Sequence, residues 1–261
     1  MLPGVSKTAI LTLRARVDEH AREDRVLVDP LAAEWWTRVE WPAELDPWYA
    51  TQTGLAFRAD DIDRIIRRFA ELEPLGTVVE LGAGLSTRRS RLEDLAIERW
   101  VDVDLPAVVG LRRAWNAGGD QIAASVTDYA WMDTLSGPQI FIAEGLLYYL
   151  PRAEVDALFA ELRRRFAGSI VIMDVLGRLA YPQLLEVTRA LGAPVQWKHE
   201  DDFDRILESH GLETVEGFEP ARLTEQMVAR YWHRFDNKTR GAIFCSQALM
   251  GRRSGVAMGR I

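Results

Sequence analysis

The chain has a single cysteine, Cys245, among 261 residues. No disulfide framework and no thiolate metal cluster can be assembled within it, and a reducing cytoplasm is the simplest compartment. It lacks any apolar run near the length of a membrane span. It also lacks positive charge overall: the net charge is -7 and the pI ≈ 5.3. A nucleic-acid-binding face is therefore not expected. The first residues do not have the shape of a signal peptide, because the apolar run AILTL is short and Arg14, Arg16, Asp18 and Glu19 follow at once. The histidines, His20, His199, His210 and His233, show no metal-ligand spacing, so no metal is expected. There is no internal repeat and no low-complexity segment.

What is present reads as one large α/β domain. Hydrophobic residues make up 48% and charged residues 27%, enough to bury a sizeable core. Ile10, Leu13 and Val17 have helical spacing. Residues 1–50 read as mostly helical and end in Trp35, Trp36, Trp41 and Trp48, with Pro42 and Pro47 breaking that end into turns. In LAFRADDIDRIIRRFAELEP, Leu55, Ile62, Ile65, Ile66 and Phe69 share one helical face, and Pro74 closes the helix. The period then changes. TVVEL (77–81), ERWVDVD (98–104), QIAAS (121–125), QIFIAE (139–144) and SIVIMD (169–174) are short apolar runs separated by helix-like stretches. That alternation predicts a parallel sheet covered on both faces. DDFDRILESHG reads as a helix stopped by Gly211. ETVEGF and AIFCSQALM read as two final strands with different pairing.

Ligands of such sheets bind beyond the carboxyl ends of the strands, and Glu80, Asp104, Ser125, Glu144 and Asp174 fall at or near those ends. In VVELGAGLSTRRSRL (78–92), Gly82 and Gly84 make a G-x-G turn. The third fingerprint position is Thr87, and no Lys-Ser/Thr pair follows, so neither the full dinucleotide motif nor a P-loop is present. Glu80, just before the turn, would repel a pyrophosphate and attract an ammonium. Asp102 and Asp104 lie where a carboxylate accepts from a ribose diol; Asp102 alternates with Asp104 and is expected to face the other side. Ser86 or Thr87 can cap the following helix. A nucleoside with a cationic end and no phosphate fits S-adenosylmethionine better than NAD.

VVELGAGLSTR, WVDVDLPAVVGLRR, SVTDYAWMD and AEGLLYYLP, with TAILTLRARVDEH, DPLA and Arg58–Asp63, resemble the leucine carboxyl methyltransferase-like family. They are most similar to its bacterial branch of polyketide-biosynthesis O-methyltransferases. The resemblance runs from about Thr8 to the last strand. It implies a class I methyltransferase (Rossmann-like) fold, seven-stranded and mostly parallel, with an N-terminal helical cover. Residue by residue, it implies that Gly82 and Gly84 allow close backbone approach to the cofactor and that Asp104 binds the ribose. Ser125 and Val126 match the adenine-side loop. Arg58 matches the arginine that pairs with the methionine carboxylate. Glu144 faces the methionine end or the acceptor. Ser86 stands where the family usually has Asp or Asn.

The chain divides, on this reading, into a cover (1–54), a cofactor-binding core (55–175), an acceptor-side insertion (176–212) and terminal strands (213–261). Asp60, Asp61 and Asp63, and Asp201, Asp202 and Asp204, look metal-like but are expected to be helix-dipole partners. His233 and Tyr149 are candidates for acting on the acceptor, and Trp41, Trp48 and Tyr148 for lining its pocket. The expected activity is S-adenosylmethionine-dependent O-methylation, of a carboxylate or phenol, on a small aromatic or polyketide-type metabolite. No obvious base stands near the strand ends, which favours an acceptor that is already ionised. N- or C-methylation of an indole or keto acid is the alternative, followed by a non-catalytic nucleoside- or NAD-binding protein. The expected partner is the small-molecule acceptor, without nucleic acid or membrane, and with a homodimer left open.

Overall fold

The computed structural model of the chain describes residue 2 and residues 4–41, 52–176, 181–198, 203–215 and 255–261. The five apolar runs form β1 (Leu75–Leu81), β2 (Ile97–Asp104), β3 (Asp120–Ala123), β4 (Gln139–Ala143) and β5 (Ile170–Val175). All five pair in parallel. They read as unbroken apolar runs because both faces are buried, and their side chains alternate between two cores. Val79, Val101, Phe141 and Val171 point one way, and Val78, Trp100, Ile140 and Ile172 the other. With β6 (Glu213–Thr214) and β7 (Gly255–Arg260), the sheet has seven strands in the order β3-β2-β1-β4-β5-β7-β6. β7 runs antiparallel to both β5 and β6.

That last pairing corrects one expectation. The antiparallel strand is GVAMGR, whose small residues gave no strand signal. Gly259 has a packing reason: a Cβ there would lie 2.8 Å from Leu212 Cβ and 2.9 Å from Leu207 Cδ2. Of ETVEGF, Glu213 and Thr214 form strand; residues 216–218 of it, and AIFCSQALM, lie outside the described residues.

Among the described residues the α-helices are α1 (Thr8–His20), α2 (Pro30–Trp36), α3 (Gln52–Ala70), α4 (Arg88–Arg91), α5 (Pro106–Ala114), α6 (Arg152–Arg165), α7 (Tyr181–Ala190) and α8 (Phe203–Ser209). Ile62, Ile66 and Phe69 of α3 pack on one sheet face with Val78 and Ile140. Each such side chain contributes about 1.5–3 kcal/mol by burial. Val155, Leu158, Phe159 and Leu162 of α6 cover the other face. Gly211, in the left-handed region at φ 64°, ends α8 as expected. Asp60, Asp61 and Asp63 do not act as first-turn dipole partners, because α3 begins at Gln52 and places them in its middle. Asp63 instead pairs with Arg88 and Arg91, and Asp60 with Arg64.

The cover packs over the carboxyl ends of the strands. Leu13 of α1 and Trp35 of α2, both fully buried, meet Leu85 of the glycine turn and Val108 of α5. Trp35 sits 5.6 Å from Trp115, ring centre to ring centre.

Candidate active site

Between α1 and the strand ends lies a cleft of ≈ 530 Å³. Arg58, Glu80, Gly82, Gly84, Asp104, Ser125, Val126 and Glu144 all line it, as do Tyr148 and Tyr149. The turn after β1 forms because glycine tolerates φ of 62° at Gly82 and 51° at Gly84. A Cβ on Gly82 would sit 2.8 Å from Leu146 Cδ1, and one on Gly84 would sit 3.2 Å from Ala9 Cβ. The cover thus touches the glycine turn itself. Ala9, Thr12 and Arg16 are walls of the same cleft as the strand-end carboxylates.

Asp104 accepts from Gly84 N at 2.6 Å and from Leu105 N at 2.6 Å. Burial nevertheless raises its pKa, so a donor arriving from the cleft would relieve it. Asp102 does not face away from Asp104. Residues two apart on a strand share a face. Asp102 is fully buried beside Trp100, whose Nε1 donates to it at 3.0 Å, and it pairs with Arg112. Thr87 makes no capping bond, and its hydroxyl instead reaches Asp29 at 2.5 Å. Ser86 Oγ accepts from Arg88 N at 3.2 Å and donates to Glu80 Oε1 at 3.0 Å.

Behind the turn lies a charge network that sequence reasoning missed. Arg88 of α4, 1% exposed, donates to Asp63, Glu80 and Glu144. Arg91 joins Asp63 to Asp29. Arg16 donates to Asp29 at 3.1 Å and to the Leu85 carbonyl at 2.5 Å. Arg58 is more committed than its expected role implied: Nε donates to Glu144 at 2.9 Å, and Nη1 donates to Asp174 at 2.8 Å and to Tyr148 at 3.1 Å. Its remaining nitrogen, Nη2, lies against Gly145, where a Cβ would be 3.1 Å away. In this network Asp29, Asp63, Glu80, Glu144 and Asp174 share Arg16, Arg58, Arg88 and Arg91, leaving one carboxylate in excess. The only signal in the sequence was the density of arginine in STRRSR and LRAR, and its partners lie far away in the chain.

The electrostatics separate the two glutamates. Burial pushes Glu80 up, and Arg88 only partly offsets it; its Oε2 has no hydrogen-bond partner among the described residues. Glu144 is also buried, but Arg88 and Arg58 outweigh that and hold it well below the usual carboxylate range. Arg16 is pushed down by burial despite Asp29, with Arg91 and Arg88 close by, so an anion in the cleft would be welcome there. Burial raises Tyr149 to about 12, so its hydroxyl stays protonated at neutral pH.

The other candidates lie elsewhere. Trp41 is not in the cleft wall; it packs on Trp36 at 5.7 Å and beneath Arg14 at 4.1 Å. Trp48, His199, His233, Asp201 and Asp202 lie outside the described residues, as does the side chain of Asp204. His20 accepts from Asp29 N at 3.2 Å, and His210 stacks on Phe159 at 4.3 Å. Neither lines the cleft.

No family model matches the chain. The tetracenomycin polyketide synthesis O-methyltransferase TcmP of Streptomyces glaucescens is 30% identical over 204 residues, covering 75% of this chain and 76% of that protein. A Streptomyces coelicolor protein named as a candidate S-adenosyl-L-methionine-dependent methyltransferase is 28% identical over 202 residues, 66% of each chain. Among solved structures, a candidate methyltransferase of Thermobifida fusca superposes with a TM-score of 0.56 at 18% identity, over 99% of this chain and 94% of that one. Magnesium protoporphyrin IX methyltransferase of Synechocystis, solved with bound S-adenosylhomocysteine, gives 0.51 at 14% identity, over 87% and 93%. Sheet order, strand-end cleft and relatives together define a class I methyltransferase, an enzyme whose cofactor is S-adenosylmethionine. At this level of likeness to TcmP, the chain belongs to the leucine carboxyl methyltransferase-like family, in its bacterial polyketide-biosynthesis O-methyltransferase branch.

The residues present fit that cofactor. Its ammonium and sulfonium suit a site with an excess carboxylate and an unpartnered Glu80 oxygen. Its ribose hydroxyls suit Asp104, and its carboxylate suits Arg16 and the Nη2 side of Arg58. Among the described residues, no helix is long and apolar enough to cross a membrane.

Proposed function

We propose that the enzyme O-methylates a carboxylate on a small, largely apolar, aromatic or polyketide-type metabolite. The cofactor, when bound, supplies an activated methyl group. In this reading Gly82 and Gly84 admit it closely, Asp104 accepts from its ribose, and Ser125 and Val126 flank its adenine. Glu80 and Glu144 face its ammonium, while Arg58 and Arg16 take its carboxylate. The insertion expected on the acceptor side, 176–212, contributes Leu184, Thr188, Ala193 and Pro194 to the cleft, which Leu146 and Leu150 continue.

One observation carries the acceptor reading. Among the described residues, the titratable groups between Leu146 and Leu150 of the cleft wall are Tyr148 and Tyr149, and burial holds both protonated. A protonated phenol donates a hydrogen bond; it does not remove a proton. An acceptor in that position must arrive with its oxygen already ionised, as a carboxylate does at neutral pH. The chain's task is then to orient that oxygen and exclude water, which is proximity and not acid–base work. TcmP, by its name an O-methyltransferase of polyketide synthesis, supports the choice of oxygen and of acceptor class.

The test compares an aromatic carboxylic acid with the matching phenol, using labelled methyl transfer. The acid should be esterified at a rate flat from about pH 6 to about pH 9, and the phenol more slowly, with a rate that rises with pH. Tyr149→Phe should lower kcat/KM for the acceptor about tenfold, the loss of one oriented hydrogen bond, and leave cofactor affinity unchanged. Methylation of nitrogen or carbon, or a phenol rate equal to the acid's at low pH, would overturn the reading.

A further inference from the structure

Arg112 lies on α5, outside the cleft wall and 2% exposed. Its Nη1 donates to two carbonyls of the glycine turn, Gly84 at 3.0 Å and Ser86 at 2.8 Å. Its Nη2 pairs with Asp102, which is itself fixed by Trp100. Trp35 of the cover lies 5.8 Å beneath the guanidinium. The opposite side of the same turn donates: Gly84 N reaches Asp104 at 2.6 Å, and Gly82 N reaches the Val103 carbonyl at 2.8 Å. The peptide groups of the turn are therefore held from both directions, with its carbonyls drawn to Arg112 and its N–H groups turned toward the end of β2.

We propose that Arg112, anchored by Asp102, is a positioning residue for the cofactor's ribose. By taking the Gly84 and Ser86 carbonyls, it aims Gly84 N–H at Asp104 and so fixes the carboxylate that receives the diol. This rests on the reading of Asp104 as the ribose ligand. A planar fork is required, because one nitrogen bridges two carbonyls while the other holds Asp102. Lysine cannot do both.

The measurement is calorimetric binding of S-adenosylhomocysteine and of its 2′-deoxy analogue to the full chain, with the Arg112→Lys, Asp104→Asn and double variants. Arg112→Lys should weaken S-adenosylhomocysteine about tenfold and the deoxy analogue by less than about threefold. In the Asp104→Asn background it should add less than about twofold, since contacts in one network are not additive. If Arg112→Lys does not fold, Asp102→Asn keeps the arginine while releasing its anchor, and should show the same selective loss for the ribose hydroxyl. Equal losses for both ligands would make Arg112 merely structural and overturn the proposal. Multiplying losses in the double variant would overturn it as well, with Asp104 still the ligand. Unchanged affinity in Asp104→Asn alone would remove Asp104 from the ribose and take this proposal with it.

Discussion

Replacing Arg88 by methionine keeps the volume and the aliphatic stem while removing a guanidinium that is 1% exposed. Three carboxylates lose a partner, but they do not lose equally. Asp63 keeps Arg91 at 2.6 Å, and Glu144 keeps Arg58 at 2.9 Å. Glu80 keeps only the Ser86 hydroxyl at 3.0 Å. The cost is therefore mainly that of one stranded buried carboxylate, about 3–5 kcal/mol at neutral pH. Glu80 is already pushed up by burial, and without Arg88 it rises further. A carboxyl whose folded pKa exceeds its unfolded value lowers stability as pH climbs between the two, and the loss vanishes below the unfolded value. Urea unfolding of Arg88→Met should thus show a larger deficit at pH 8 than at pH 5, by about 1.4 kcal/mol per pH unit within that window. Adding Glu80→Gln should restore more than half of the stability at pH 8. A deficit under about 1 kcal/mol, one that does not change with pH, or no recovery on adding Glu80→Gln would refute the assignment of Glu80 as the stranded charge.

Two further outcomes follow from the same electrostatics. Asp61 is 2% exposed and raised to about 7 by burial and by Asp60, so its ionisation opposes folding above the unfolded carboxylate pKa. Asp61→Asn should stabilise the chain at pH 8 by about 4 kcal/mol and do nothing below about pH 4; equal stability at pH 8 would show that the charge is solvated. Arg16→Met should weaken S-adenosylhomocysteine about tenfold or more and leave adenosine, which has no carboxylate, within about twofold. Parallel losses in calorimetry would mean a displaced cover and not a lost anion contact.

Local pattern carried much of the architecture. The five parallel strands were visible because strands buried on both sides are continuous apolar runs, and the turn was visible because two glycines follow one of them. β7 was invisible: Gly259 is small because Leu207 and Leu212 press on it, a fact of packing that leaves no hydrophobic signature. In the site, Asp104 and Glu80 were legible from their places at strand ends. Arg88 was not, since its acids stand 8, 25 and 56 residues away. Asp29 was not either; it caps α2 through Ala32 N at 3.0 Å, and it also receives Arg16, Arg91 and Thr87. Trp41 drew attention for its ring, yet its spacing could not say which surface the ring would meet.

The bond from Arg16 to the Leu85 carbonyl joins residues 69 apart in the chain. Closing so long a loop costs entropy before any contact repays it, and topologies built on such contacts fold slowly. α1 can wind early, but the cleft does not exist until β1, its glycine turn and the cover have met. A ligand that binds only the finished cleft adds its binding energy to the fold, about 2.7 kcal/mol at a hundredfold excess over Kd. Starvation for the cofactor should then expose α1 and the turn together to proteases, while the sheet beneath stays protected against hydrogen exchange. The lifetime of the enzyme in a cell would track the supply of its own methyl donor.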